Sequence, residues 1–109
     1  MVRRKDINDE INGYLLGLEE LGYPVNKAYV FGSMINGHPH AYSDIDLAVW
    51  SENFGSNYFE IIEKTAVLKR KFKRIELHPF QLNDSAENNP FIRTIEASGK
   101  RVIRGMETV

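Results

Sequence analysis

The chain carries the sequence KAYVFGS over residues 27–33 and SDIDLAV over residues 43–49, and these two stretches decide the fold. The first is aromatic and β-branched until it reaches Gly32 and Ser33, which predicts a strand that runs into a tight turn. A strand that ends in this way exposes backbone N–H groups, and a glycine lets a phosphate approach the backbone closely. We therefore predict that Gly32 and Ser33 bind phosphate.

The second stretch alternates acidic and apolar residues with the two-residue period of a strand. Asp44 and Asp46 share one face of this predicted strand, whereas Ile45 and Leu47 share the other. Two carboxylates on the same face can share a divalent cation, and that cation would neutralise phosphates held nearby. The pattern therefore predicts a site for Mg²⁺ or Mn²⁺, with a nucleoside triphosphate as the ligand.

A third carboxylate follows from the next predicted strand. In that strand Ile75 and Leu77 share an apolar face, so Glu76 lies on the opposite face, as Asp44 and Asp46 do in theirs. Three carboxylates can hold two metal ions about 3.5–4 Å apart, one on the triphosphate and one on an attacking hydroxyl. We therefore predict that all three acidic residues bind metal and act in in-line nucleotidyl transfer.

The rest of the chain predicts three helices and two further strands. Apolar residues at three- and four-residue steps predict helices over residues 6–21, 57–71 and 91–97. Short alternating or β-branched segments predict strands over residues 73–80 and 101–104. The resulting order, α-β-β-α-β-α-β, predicts an α+β fold in which a small mixed sheet has helices packed on one face.

Length and composition limit the classes of protein to which the chain can belong. Its 109 residues predict one domain over residues 1–109, and its net charge of −1 provides no overall field that favours nucleic acid or a membrane. It has no cysteine, which excludes disulfides, thiolate nucleophiles and cysteine zinc sites and favours the cytoplasm. Neither a signal peptide nor a run of ~18 apolar residues is present, so no membrane association is expected.

At these residues the chain resembles the minimal nucleotidyltransferase domain of the DNA-polymerase-β-like superfamily. The pattern of that family is Gly-Ser, a gap with a glycine, and then Ser-Asp-x-Asp-Leu. The matching residues are 32–33, Gly37 and residues 43–47, in the same order and spacing. Two positions depart from the pattern: Met34 stands where many relatives have a basic residue, and Glu76 stands where the third carboxylate is often Asp.

The resemblance implies a metal-dependent nucleotidyltransferase that moves a nucleoside monophosphate to an acceptor hydroxyl. We expect the donor to be ATP and the transferred group to be AMP. Relatives of this length include antitoxins that pair with small helical ribonucleases of the HEPN type. The resemblance therefore implies a small helical protein partner whose hydroxyl accepts the nucleotide. The alternative is a non-catalytic, antitoxin-like subunit that binds and masks such a ribonuclease. A homo-oligomer is a further way to complete the acceptor site.

Several polar residues keep two interpretations at this stage. His38 and His40 lie in a predicted loop and are expected to be solvated, whereas His78, on the same face as Glu76, is a candidate for contact with the acceptor or with the base. The basic residues 69–74 could bind RNA, but cations at the end of a helix also interact favourably with its dipole. We therefore do not expect nucleic acid as a partner.

Overall fold

The computed structural model describes residues 4–32, 35 and 44–109. The described residues form three helices and four strands: α1 (Arg4–Glu20), β1 (Lys27–Phe31), β2 (Ile45–Trp50), α2 (Tyr58–Lys71), β3 (Ile75–Phe80), α3 (Pro90–Ser98) and β4 (Lys100–Arg101). The predicted order of elements is confirmed, although α1 begins earlier than predicted and β4 is shorter. Of the helices that the structure describes, none is long and apolar enough to span a membrane.

The strands form one sheet in the order β3-β2-β1-β4. The β1 strand pairs antiparallel with β2 and with β4, whereas β2 and β3 are parallel. The sheet is therefore mixed, as predicted. The β3 strand lies at its edge, where Pro79 is tolerated because its missing N–H faces no further strand.

One face of the sheet packs against α1 and α2. Alternate residues of β2 contribute Ile45, Leu47 and Val49 to this core, and all three are fully buried. The α1 helix contributes an apolar stripe with helical spacing, formed by Ile7, Ile11, Tyr14, Leu15 and Leu18. Burial of this stripe holds the helix on the sheet.

The opposite face of the sheet packs against α3. Ala48 and Trp50 of β2 form a second buried cluster with Ile92 and Ile95 of that helix. The predicted α+β class with a small mixed sheet is confirmed. The prediction that the helices pack on one face holds only for α1 and α2, because α3 packs on the other face. The physical reason is that the second face of β2 is acidic only at Asp46 and then becomes apolar, so it needs its own cover.

Side-chain caps fix the start of both later helices. The side chain of Asn57 accepts a hydrogen bond from the backbone N–H of Glu60 at the start of α2, as their spacing indicates. At the start of α3, Asn89 accepts one from the backbone N–H of Phe91, and Pro90 occupies the first turn. The position of Phe91 relative to the sheet is therefore set by the cap as well as by packing.

Two leucines in α1 test how far core burial stabilises the fold. Leu18 is 0% exposed and Leu16 is 53% exposed. We expect Leu18→Ala to lower the free energy of unfolding by about 2–5 kcal/mol, because it removes buried methyl groups and leaves a cavity. The matched change Leu16→Ala should alter it by about 0.5 kcal/mol or less. Urea denaturation of both variants measures this, and equal losses would contradict the assignment of the core.

Candidate active site

Asp46, one of the predicted site residues, lies on a central strand of the sheet. In the strand register Asp46 of β2 lies beside Phe31 of β1 on one side and beside Glu76 of β3 on the other. Asp46 is half-buried because strands flank it on both sides. The backbone of Asp46 is thus positioned by strand pairing on both sides.

The turn after β1 brings the backbone at Gly32 against Asp46. Gly32 has a φ of 80°, in the left-handed region that favours glycine. Its carbonyl accepts a hydrogen bond of 3.0 Å from the N–H of Ile35. A Cβ atom at Gly32 would overlap with Oδ2 of Asp46. Two of the predicted site residues, Gly32 and Asp46, are therefore in close contact. Only glycine fits at position 32 without displacing the Asp46 carboxylate.

Asp44 lies directly before β2 and is exposed. The next residue, Ile45, donates its N–H to the carbonyl of Arg74 at 2.8 Å, which fixes the beginning of the strand. Ser33, the second predicted phosphate-binding residue, lies outside the described residues, as do His38 and His40. Of the predicted phosphate and metal ligands, the structure thus places Gly32, Asp44, Asp46 and Glu76.

Glu76 is next to Asp46 in the register, but its carboxylate has a different partner. Its Oε1 is 2.7 Å from Nζ of Lys69 in α2, and about half of each side chain is exposed. The same ammonium donates to the backbone carbonyls of Lys73 and Ile75, at 2.9 Å and 3.1 Å. The Glu76 side chain therefore bends around the edge of the sheet toward α2. Within the part of the chain that is described, no three acidic or histidine side chains form a group that could hold a metal ion.

A groove beside Glu76 shows the surroundings of this carboxylate. The groove has a volume of about 470 Å³ and lies between α2 and β3, with Tyr14 and Glu76 among its lining residues. Burial first, and the negative charge of Glu76 second, raise the pKa of the Tyr14 phenol above its ordinary value. The Glu76 carboxylate thus lies on the α2 side of the sheet, whereas Asp46 lies on the face that α3 covers.

His78 is the residue that the sequence left undecided and the structure brings to the site. Its Nε2 is 3.2 Å from Oδ1 of Asp46, and its ring lies 4.9 Å from the ring of Phe31 between centroids. The signal in the sequence was its position two residues after Glu76, which places it on the same face of β3. The strand opposite carries Ala48 at this height, which leaves room for the imidazole.

The comparison with known families agrees with this geometry. The family model described as Polymerase beta, Nucleotidyltransferase matches residues 19–107. That range includes every described element except most of α1, and the chain therefore belongs to this nucleotidyltransferase family. The resemblance inferred from the sequence motif is confirmed at this level. No curated protein matches the chain significantly.

The contact between Gly32 and Asp46 can be tested against a glycine of the same conformation. Gly105 also has a φ of 80°, but a Cβ atom there would meet open space. Alanine at either position should cost about 1–2 kcal/mol of stability because of the left-handed backbone. We expect Gly32→Ala to lower stability more than Gly105→Ala, because it must also displace the Asp46 carboxylate. Equal losses in chemical denaturation would show that the close approach is unimportant.

The phenol of Tyr14 predicts a pH dependence in alkaline solution. Because its pKa is raised in the folded state, the protonated phenol stabilises the fold below its ordinary pKa of about 10, and this contribution is lost as the pH rises further. We expect the free energy of unfolding to fall more steeply above about pH 10 in the native sequence than in Tyr14→Phe.

The control for this experiment is Tyr58→Phe, because Tyr58 is 52% exposed. This variant should retain the steep alkaline decline of the native sequence. Chemical denaturation of the three proteins at several pH values measures the slopes. Parallel slopes for all three would contradict the assignment to Tyr14.

Proposed function

We propose that the protein is a metal-dependent nucleotidyltransferase that transfers a nucleoside monophosphate, AMP from ATP, to an acceptor hydroxyl. The observation that carries this proposal is the half-buried Asp46 carboxylate held against the left-handed turn at Gly32. A backbone turn without a side chain suits close approach of a phosphate, and the carboxylate beside it suits the accompanying cation. Membership of the nucleotidyltransferase family supports the same reaction class.

Asp44 and Asp46 are the residues that we propose to hold Mg²⁺ or Mn²⁺. Both offer the hard oxygen ligands that these ions prefer, and exposure of Asp44 leaves its carboxylate accessible. When bound, the ion neutralises charge on the triphosphate and on the leaving pyrophosphate. Gly32, with Ser33 after it in the sequence, is proposed to bind the outer phosphates through the backbone and the Ser33 hydroxyl.

Glu76 is proposed to bind a second ion or to orient the acceptor. Its present partner is Lys69, and an exposed ion pair of this kind contributes only about 0–1 kcal/mol. Replacement of the Lys69 ammonium by a divalent cation therefore has a small free-energy cost. This exchange requires the Glu76 side chain to swing from the α2 side toward Asp46, its neighbour in the register.

The proposed reaction exchanges one P–O bond for another and releases one proton. The acceptor oxygen attacks the α-phosphorus, the bond from that phosphorus to the oxygen bridging to the β-phosphate breaks, and pyrophosphate leaves. The proton of the acceptor hydroxyl passes to solvent. The protein contributes mainly position: β2 fixes Asp46, and the contact with Nε2 of His78 orients its carboxylate.

The acceptor that we propose is a hydroxyl on a small helical protein partner of the HEPN type. A specific feature supports a protein partner: α2 presents Tyr58, Phe59 and Ile62 as exposed apolar side chains close to Glu76. The same feature supports a second candidate function, in which the chain only binds and masks a ribonuclease.

Transfer of label from ATP distinguishes these functions. The protein is incubated with Mg²⁺, an extract of its native cells and ATP labelled at the α- or the γ-phosphate. We expect label from the α-position, and none from the γ-position, to appear in an acceptor, because the leaving pyrophosphate contains the γ-phosphate. Asp46→Asn should reduce this transfer by about 100-fold or more, since one metal ligand loses its charge.

The control is Asp9→Asn, the same change at an exposed position of α1, and its transfer should equal that of the native sequence. Circular dichroism of both variants checks that the fold is retained. Equal activity of Asp46→Asn and the native protein would exclude Asp46 as a metal ligand. Absence of any transfer, together with tight binding of a partner protein, would support the second candidate function.

A further inference from the structure

A group of aromatic rings adjoins Asp46 on the face of the sheet that α3 covers. The ring of Phe91 lies 5.6 Å from that of Phe31 and 5.9 Å from that of His78, measured between centroids. His78 in turn contacts Asp46. Phe91 thus packs directly against His78, which contacts the proposed metal ligand Asp46.

Phe91 differs from its neighbours in α3 by its exposure. It is 44% exposed, whereas Ile92 and Ile95 of the same helix are fully buried. Its position is nevertheless well defined, because Asn89 accepts a hydrogen bond from its backbone N–H at 3.0 Å and Phe31, His78 and Phe80 surround part of its ring. The fold therefore presents a fixed aromatic surface to solvent beside the site.

A flat exposed ring in this place suits one part of the proposed substrate. The charged part of a nucleoside triphosphate belongs at Gly32 and Asp46, so its base must lie beyond that charge. We propose that Phe91, supported by Phe31 and His78, is the surface on which the nucleobase stacks. Stacking of a base on an aromatic side chain is favourable for every base, because each has a π-face. This inference rests on the proposed nucleotidyltransferase function and adds its base-binding residue.

The composition of the group also predicts the substrate preference. Among its rings only His78 carries polar atoms, and its Nε2 is occupied by Asp46. The rings therefore offer mainly a stacking area to the base. We expect purine triphosphates to bind more tightly than pyrimidine triphosphates, because the larger base covers more of the aromatic surface.

Calorimetric titration in the presence of Mg²⁺ tests this assignment with three ligands: ATP, CTP and inorganic tripolyphosphate. Phe91→Leu removes the π-face and keeps an apolar side chain of similar size. This change should weaken the binding of ATP by about tenfold, as expected for the loss of one base-stacking contact, and leave the binding of tripolyphosphate unchanged. Phe91→Trp, which enlarges the π-face, should bind ATP at least as tightly as the native protein.

The control is Leu16→Ala, because Leu16 is an apolar side chain of α1 that is 53% exposed and lies outside the proposed site, so the change should not affect any of the three ligands. Unchanged ATP affinity in Phe91→Leu would overturn the assignment of Phe91 and leave the proposed function standing. Equal weakening of ATP and tripolyphosphate would also overturn it, because the effect would then concern the phosphates. If the native protein bound neither ATP nor tripolyphosphate, both the base-binding residue and the proposed function would be wrong.

Discussion

The close approach between the Gly32 backbone and the Asp46 carboxylate is the constraint on which the site depends. It requires a left-handed residue without a side chain at the end of β1, and it requires Asp46 to sit on the neighbouring strand at the same height. Antiparallel pairing of β1 with β2 satisfies both requirements at once. The pairing of these two strands therefore holds the turn at Gly32 and the Asp46 carboxylate beside each other.

The second face of β2 changes character along its length, and this change organises the rest of the molecule. Asp46 is half-buried and polar, whereas Ala48 and Trp50 on the same face are fully buried under α3. The first turn of α3 lies between these two regions and carries Phe91. The helix thus serves two purposes: its buried residues complete the fold, and its first turn borders the site.

Local sequence patterns predicted most of the helices and strands, because the spacing of apolar residues differs between a helix and a strand. The alternation in SDIDLAV identified β2, and Gly32 marked the end of β1. The same patterns could not show that α3 covers the face opposite to α1 and α2, since a short apolar helix is compatible with either face of a sheet. That choice depends on Ala48 and Trp50, which lie far from α3 in sequence.

The side-chain direction of Glu76 was also beyond the reach of periodicity. Alternation correctly separates it from Ile75 and Leu77, but β3 is an edge strand, and a long side chain there can bend around the edge to an ammonium such as that of Lys69. His78 shows the opposite case. Its period-two position predicted its face, whereas its contact with Asp46 depends on the parallel register of β2 and β3.

We propose that a cation and a triphosphate bind together at Asp46 and Gly32. Paramagnetic broadening of backbone amide signals tests this most directly, with Mn²⁺ added to the ¹⁵N-labelled protein in the presence of a non-hydrolysable nucleoside triphosphate. We expect the amide signals of Gly32, Asp44 and Asp46 to be broadened first and those of Asn26 and Lys27, at the opposite end of β1, to be broadened last. Broadening centred on another acidic surface, or none with the triphosphate present, would contradict it.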